Sequence, residues 1–485
     1  MYKKIQTRLL SQYPLLWNTK FIPMFFVGIL LNLGYFGFGY LCGIVDFTGE
    51  FDINFDEEIL FLIGLFINIL VLIIWLIYYF RNNSLSTFYR KSSASIFYEF
   101  IHIFVICLFI FIYPISYSLG KEFKLNSYYS KEELLTKSII ISNAAFFINN
   151  PNYNTDCTTT EFDSDGKQHV KFCDSIEVFG KKIKYSSLIN SRTEDVFQKY
   201  NYGEAYRTTL TDSLDTVIKI ALINNDKVKI KKIMSDYLRL VSELKLKTNL
   251  TVTNWFKLVY DYPNFVNYQL VKPYFKLSEM SFRNNYEEID TTNYNSKFYV
   301  QHNLLVQNFR KLNYDFVSKN DFYDILTAII FLTSIISSLI FSYRLTNLKS
   351  WMTTFIVTGL LEILFLMIAV PLNSLNLFLG LNGLLLIINL LHFSFIMKKK
   401  KQKGLTKYSL NYFIWSIVVF LPLIYAFCYN QLHIYSMNIS DEFDSIFYFM
   451  EDNFFEFSII NVIFLMTTIL VLTKTLYNWK GIPEE

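Results

Sequence analysis

The sequence predicts an α-helical polytopic membrane protein with about eight transmembrane helices and a helix-dominated α+β extracytoplasmic domain between helices 3 and 4. Two observations support this prediction: eight apolar stretches are each long enough to cross a bilayer, and the loops between them sort by charge. A helix that rises about 1.5 Å per residue needs about 20 apolar residues to cover ~30 Å of hydrocarbon. The stretches are Phe21–Val45, Ile59–Phe80, Phe97–Leu119, Phe322–Phe341, Trp351–Leu372, Asn376–Met397, Tyr408–Cys428 and Phe457–Leu476.

These stretches are expected to be helical because a bilayer offers no water to unpaired amide groups. Pro114 and Pro422 are expected to kink the third and seventh spans, since proline lacks the N–H that continues a helix. Aromatic side chains at the ends of the stretches suit the interface between lipid and water. They are Tyr78, Tyr79, Tyr98, Trp351 and Tyr429.

The charges of the short loops predict which side of the membrane each loop faces. Loops 81–96, 342–350 and 398–407 carry basic residues, whereas loops 46–58 and 429–456 carry acidic residues and no lysine or arginine. Basic segments resist translocation and mark the cytoplasmic side. Both termini are therefore expected in the cytoplasm, and the long segment between the third and fourth spans is expected outside it.

This topology divides the chain into five parts. They are a cytoplasmic interfacial helix (1–20), transmembrane helices 1–3 (21–119), an extracytoplasmic domain (120–320), transmembrane helices 4–8 (321–477) and a cytoplasmic tail (478–485). The net charge of +4 reflects the basic cytoplasmic segments, and the densest run, Lys398–Lys401, directly follows a span. We therefore expect contact with the lipid bilayer and no nucleic-acid partner.

Helices dominate the predicted extracytoplasmic domain. Ser130 and Glu133 have the spacing of a capping box, followed by apolar residues at helical spacing. Segments 204–223 and 227–246 also have apolar residues near a helical period, and the polar turn between them predicts an antiparallel pair. A strand pair turning at Gly180 is expected, and 255–300 is expected to be irregular.

Two cysteines of this domain flank a predicted hairpin. Cys157 and Cys173 stand on either side of the turn sequence at 163–166. An oxidising compartment permits a disulfide, and the turn would bring the two ends of the hairpin together. The sequence therefore predicts a bridge between Cys157 and Cys173, with two unrelated free thiols as the alternative.

The motifs of common enzymes are missing from the sequence. The five histidines have no partner at HxxxH or HExxH spacing, and neither a P-loop nor a GxSxG motif occurs. We therefore expect no enzymatic activity and no cofactor, and any ATPase activity would reside in a separate subunit. Three intramembrane polar residues are candidates for function: Glu362 in the fifth span, and Asn389 and His392 in the sixth. A buried carboxylate suits either an ion-coupling site or an interhelix hydrogen bond, and the asparagines suit helix packing.

The cytoplasmic elements carry a resemblance to a known family. Residues 13–20 end an amphipathic, basic segment suited to the membrane interface, and loop 81–96 carries Phe88, Tyr89, Arg90 and Lys91. An interfacial N-terminal helix with a helical first cytoplasmic loop is similar to the permease subunits of ABC-2-type exporters and to permease-like membrane proteins of Bacteroidota. This resemblance implies that the loop couples to a separate ATPase subunit in a bacterial inner membrane. The chain differs from that family in having eight predicted spans instead of six and a large external domain.

Two other classes of function stay open. A structural or assembly subunit of an envelope complex would need only helix surfaces, a homo-oligomer or envelope partner, and an external docking domain. A membrane sensor would bind a ligand through its external domain. The cytoplasmic loop has its own alternative, since apolar and basic residues also suit contact with lipid head groups.

Overall fold

The computed structural model describes most of the chain, and its residues fall into two compact units. The described residues are 11–48, 57–81, 92–148, 158–162, 168–172, 175–184, 187–194, 196, 209–265, 269–273, 298–313, 319–372, 374–399, 405–436, 446, 449–450 and 453–479. The first unit, called the membrane unit below, comprises Met1–Gly39, Phe55–Gly120 and Val317–Glu485. The second unit comprises Tyr40–Asn54 and Lys121–Phe316.

Eight helices of the described residues are long and apolar enough to cross a membrane, which confirms a multi-pass helical membrane protein. We number them spans 1 to 8. They are Phe21–Cys42, Glu57–Phe80, Ser93–Phe111, Lys319–Leu345, Leu348–Ala369, Leu375–Lys399, Leu405–Ser436 and Phe454–Trp479. Their bounds agree with the predicted stretches to within four residues except at two ends: span 3 ends earlier than predicted, and span 7 continues to Ser436, beyond the predicted Cys428.

Span 3 ends earlier than the sequence predicts. The helix stops at Phe111, and a second helix, Tyr113–Leu125, begins after Ile112. The break lies beside Pro114, which has no N–H to donate to the preceding turn. Pro422, by contrast, lies inside span 7, which continues as one helix.

The core of the membrane unit lies around spans 3 and 4. About half of span 4 is buried and nearly as much of span 3, whereas only 6% of span 1 and 11% of span 5 are buried. The core is mainly aliphatic and aromatic, with Trp75, Phe100, Phe341 and Ile414 fully or almost fully buried. The outward faces are also apolar, as at Leu384 and Ile388, which suits helices surrounded by lipid.

The second unit has a separate core built mainly from helices. Its helices of eight or more residues are Lys131–Ala145, Thr209–Ile223, Lys227–Glu243, Val252–Val259 and His302–Asn313. The predicted capping box is confirmed: the Glu133 amide donates to Ser130 Oγ over 3.3 Å, and the Ser130 amide donates to Glu133 Oε2 over 3.0 Å. Buried aromatic side chains, among them Tyr237, Trp255 and Phe309, fill this core.

Strands in the second unit are few and short. Three two-stranded pairs occur among the described residues: Thr158–Phe162 with Gln168–Phe172, Ser175–Val178 with Lys181–Lys184, and Lys272–Pro273 with Tyr299–Val300. The second pair turns at Phe179 and Gly180, which have φ angles of +49° and +71°. Positive φ at both turn positions matches the twist of a tight hairpin, so the predicted turn at Gly180 is confirmed.

The prediction for 255–300 was partly wrong. A helix over Val252–Val259 enters this segment, with Thr251 capping the amide of Asn254. Lys272–Pro273 pairs in parallel with Tyr299–Val300. The helix His302–Asn313 is a further element that the sequence analysis missed, although Leu305, Phe309 and Leu312 recur at helical spacing.

Candidate functional site

The membrane unit contains a fully buried ion pair between two spans. Glu99 of span 3 accepts a hydrogen bond from Arg344 Nε of span 4 over 3.1 Å, and the two side chains are 2% and 3% exposed. The hydroxyl of Tyr79 in span 2 donates to the same carboxylate oxygen over 2.8 Å. We call Tyr79, Glu99 and Arg344 the charge cluster. It joins spans 2, 3 and 4 through one carboxylate.

Each residue of the charge cluster lies near the end of its helix. Tyr79 is the next-to-last residue of span 2, Glu99 lies in the second turn of span 3, and Arg344 is the next-to-last residue of span 4. Span 3 begins after Ser92, whose Oγ accepts from the Ser95 amide over 3.1 Å. A cation at a helix C-terminus also interacts favourably with the helix dipole. The cluster therefore lies close in sequence to both ends of loop 81–96.

Aromatic side chains enclose the charge cluster. The Arg344 guanidinium lies 5.0 Å from the centre of the Tyr79 ring, and the Trp75 ring stacks on Tyr79 at 5.3 Å. Trp75 Nε1 donates over 2.9 Å to the carbonyl oxygen of Thr19, the last residue of the short helix Pro14–Thr19. Thr19 Oγ1 also lies 3.3 Å from His102 Nδ1 of span 3. The N-terminal helix thus contacts Trp75, the ring that stacks on Tyr79 of the charge cluster.

Two sequence interpretations are corrected by this cluster. Tyr79 was assigned to the interfacial aromatic belt, but it is completely buried and hydrogen-bonded to Glu99. Arg344 was counted among the loop charges, but it lies inside the span 4 helix and is 4% exposed. Both errors have the same cause, because the partner helix decides whether a residue at a helix end is buried.

A second buried network lies in the second unit. Glu194 is hydrogen-bonded to His302 Nε2 at 3.0 Å and to Arg310 at 3.1 Å, and His302 Nδ1 lies 2.9 Å from the hydroxyl of Tyr237. Burial opposes ionisation of Glu194, but the hydrogen bond and charge of His302, and then Arg310, outweigh it and lower its pKa. Burial, together with the charge of Glu194, raises the pKa of Tyr237 well above its ordinary value.

This second network stabilises the unit's core. Its aromatic and histidine members are almost completely buried, and Tyr237 packs against the Trp255 ring. In the sequence, His302 is one of five scattered histidines without a partner at motif spacing. Residues from 194, 237 and 302–310 meet here, and their separation along the chain hides the network from a search for short motifs.

The structure brings together two of the three predicted intramembrane polar residues. Ser409 of span 7 donates to Asn389 Oδ1 over 3.0 Å, and its hydroxyl lies 3.2 Å from His392 Nδ1. Asn389 is buried and His392 is exposed. Glu362 lies on span 5 and is half-buried. The asparagine–serine contact fits the packing interpretation of the asparagines.

The other predicted site residues lie outside the described residues. They are Cys157, Cys173, Phe88, Tyr89, Arg90 and Lys91. The adjoining hairpin is described, and its outermost strand pair joins Thr158 to Phe172. Cys157 and Cys173 are therefore the next residues along the chain from a confirmed strand pair, and their disulfide stays a prediction.

Glu99 and Arg344 were not among the predicted site residues, although the sequence contains one signal for them. Glu99 is the single acidic residue of span 3. A carboxylate in an apolar span requires a partner, and a basic residue near another span end can supply it. Within the part of the chain that the structure describes, no group of three or more histidine, cysteine or acidic residues could hold a metal ion. No protein family, curated protein or solved structure matches this chain.

Proposed function

We propose that the chain is a permease-like membrane subunit that works with a separate ATPase, bound through loop 81–96. The observation that supports this proposal is the position of the charge cluster. Tyr79 lies just before the loop, Glu99 lies shortly after it, and Arg344 ties both to span 4. A partner that moved the loop would therefore act directly on the contact between spans 2, 3 and 4.

The chemistry of the cluster suits a contact with discrete alternatives. Separating Glu99 from Arg344 would leave both charges uncompensated inside the membrane unit, so the paired arrangement is favoured unless another contact replaces the pair. An alternative arrangement would therefore be a distinct state with new partners for these charges. In the proposed mechanism, ATPase binding would favour one arrangement of spans 2, 3 and 4 over the other.

The proposal places the protein in a bacterial inner membrane with both termini in the cytoplasm. It places the second unit outside, as the helix-dominated α+β domain. The support is the charge sorting of the short loops: three basic loops fall on the predicted cytoplasmic side and two acidic loops on the other. The predicted Cys157–Cys173 bridge is consistent with an oxidising compartment.

A structural or assembly subunit is the second candidate function, favoured by a surface feature of the second unit. A cleft of about 370 Å³ between helices Lys131–Ala145 and Lys227–Glu243 is lined by Glu132, Glu133, Asp236 and Glu243, with Lys137 and Arg239 among them. Such a charged concavity suits a polar partner or an external ligand. The sensor alternative would use the same cleft.

The test is affinity purification of the full chain from its own membranes, followed by identification of co-purifying proteins. Recovery of a P-loop ATPase with the wild type, and its loss with the Phe88→Ala/Tyr89→Ala variant, is the expected result. Buried aromatic side chains commonly supply most of the energy of such contacts. The matched control, Asn82→Ala/Asn83→Ala, changes the same loop but keeps both rings and both basic residues, and it should retain the ATPase.

Two results would contradict the proposal. Absence of any ATPase from the wild-type preparation, with an envelope complex recovered instead, would favour the assembly subunit. Recovery of the ATPase at wild-type levels with the Phe88→Ala/Tyr89→Ala variant would show that the loop rings do not bind it.

A further inference from the structure

The membrane unit contains an apolar groove between spans 1 and 2 and the helix Tyr113–Leu125. The groove encloses about 350 Å³, within the range of about 300–1,000 Å³ of small-molecule sites. Its walls are aliphatic and aromatic side chains and two glycines. They include Leu31, Gly34, Phe38, Phe61, Gly64 and Tyr117.

Two tyrosine rings and Gly64 form the floor of the groove. A Cβ atom at Gly64 would lie 2.8 Å from Tyr113 Cε2 and 3.4 Å from Tyr35 Cε1. The two rings can therefore pack against span 2 at this position because Gly64 has no side chain. The rings are 5.1 Å apart, between span 1 and the helix that follows span 3. Gly34 has the opposite surroundings, because a Cβ atom there would meet nothing within 4 Å. Space is therefore present beside Gly34.

The polar atoms of the two floor tyrosines are turned toward the backbone of span 2. The Tyr35 hydroxyl donates to the carbonyl oxygen of Gly64 over 3.2 Å, and the Tyr113 hydroxyl donates to that of Phe61 over 3.1 Å. The groove therefore presents ring faces and hydrocarbon. A polar ligand entering it would lose its water without gaining hydrogen bonds from these tyrosines.

The groove opens sideways, on an apolar surface of the membrane unit. Leu30, Ile63 and Ile67 line it and are 69%, 51% and 39% exposed. Its stretch along span 1, from Leu30 to Phe38, corresponds to about 12 Å of helix. A groove of this length, open along its side, suits an extended hydrocarbon chain.

We propose that this groove holds one acyl chain of a bilayer phospholipid. The occupant follows from the apolar lining and from the lateral opening, because a groove that opens among lipid-facing residues meets the acyl chains of the surrounding bilayer. The inference stands apart from the proposed ATPase partner, because it concerns the other end of span 2 and a different ligand.

The test uses the full chain in phosphatidylcholine vesicles that contain a minor fraction of phosphatidylcholine with a photoactivatable group on one acyl chain. After illumination, the labelled peptides are identified by mass spectrometry. The wild type should label chiefly in the peptides that contain Leu31 and Ile63. Label in the peptide around Leu384 and Ile388, which are 56% and 54% exposed on span 6, reports ordinary lipid contact.

Two glycine variants of span 1 form a matched pair. A Cβ atom would meet nothing within 4 Å at either Gly34 or Gly37, so neither substitution clashes at that atom. Gly34 lines the groove and Gly37 does not, so only Gly34→Phe should fill it. Displacing two methylene groups from an apolar site lowers affinity by about tenfold. Gly34→Phe should therefore reduce labelling at Ile63 about tenfold, and Gly37→Phe should leave it unchanged.

Three results would overturn the inference. They are equal labelling of the groove and span 6 peptides in the wild type, labelling unaffected by Gly34→Phe, and cross-links joining two copies of the chain through groove residues. The wild-type distribution alone is decisive should Gly34→Phe fail to fold.

Discussion

At the scale of single residues, two buried acidic side chains organise the two units. Glu99 is held by Arg344 and Tyr79 in the membrane unit, and Glu194 by His302 and Arg310 in the second unit. Burying a carboxylate is unfavourable unless charge and hydrogen bonds compensate for the lost water. Both residues satisfy this condition with partners that are distant in the sequence.

The charge cluster predicts an asymmetric response to neutralisation. Glu99→Gln leaves Arg344 buried and charged, since a guanidinium cannot lose its proton in a protein. We expect a loss of about 3–5 kcal/mol in the free energy of unfolding in detergent. Arg344→Gln should lower the free energy of unfolding by less, because the unpaired Glu99 can take up a proton and become neutral. Glu362→Gln is the matched control, since Glu362 is only half-buried, and an equal effect of Glu362→Gln and Glu99→Gln would contradict this account.

The second network predicts a stability that depends on pH. The pKa of Glu194 is lowered in the folded protein, so its ionised carboxylate stabilises the fold at pH values above the ordinary pKa range of glutamate. This stabilisation is lost as the pH falls through the lowered pKa. Glu194→Gln should therefore speed amide exchange in the helix Lys227–Glu243 at neutral pH. That difference should shrink on acidification. The control Glu243→Gln removes an exposed pair with Lys137 and should have little effect at either pH. A difference that grows in acid would contradict the sign of this argument.

At the scale of elements, local chemistry was predictable from the sequence and long-range contacts were not. The Ser130–Glu133 capping box, the turn at Asn225 and the hairpin at Gly180 depend on a few adjacent residues, and all three are confirmed. The end of span 3 was misplaced because apolar composition continues through Ile112, where the helix breaks. Composition reports whether a segment can enter a bilayer but not where its helix breaks: the break at Ile112 lies beside Pro114, whereas span 7 continues through Pro422.

The candidate site shows the same division. Glu362, Asn389 and His392 were found because they interrupt apolar sequence, and the Asn389–Ser409 contact required the pairing of spans 6 and 7. Arg344 was missed because its burial depends on spans 2 and 3, which are more than 200 residues away. No pattern within span 4 reveals that contact.

The hairpin Thr158–Phe172 carries a prediction at the same scale. Its register places Thr158 opposite Phe172, so the flanking Cys157 and Cys173 follow a confirmed pair. We expect non-reducing peptide mapping of protein from its native envelope to recover the two cysteines in one linked fragment. The bridge would contribute about 3 kcal/mol by restricting the unfolded chain. Both thiols free in such a preparation would disprove it.

At the scale of the whole molecule, the eight spans of the described residues and the sorted loop charges lead to one prediction about topology. Eight spans would place both termini on one side, and the basic loops predict that this side is the cytoplasm. The proposed ATPase contact at loop 81–96 and the proposed extracytoplasmic position of the second unit both depend on this assignment. Every functional proposal except the acyl-chain groove therefore depends on this topology.

Cysteine accessibility scanning in intact cells tests this claim most directly. A membrane-impermeant thiol reagent should label Asp441→Cys, in the acidic loop before span 8, above the level of the wild-type chain without permeabilisation. The paired variant Lys400→Cys, in the basic loop between spans 6 and 7, should be labelled only after the cells are permeabilised. Labelling of Asp441→Cys that requires permeabilisation, together with labelling of Lys400→Cys in intact cells, would contradict the topology.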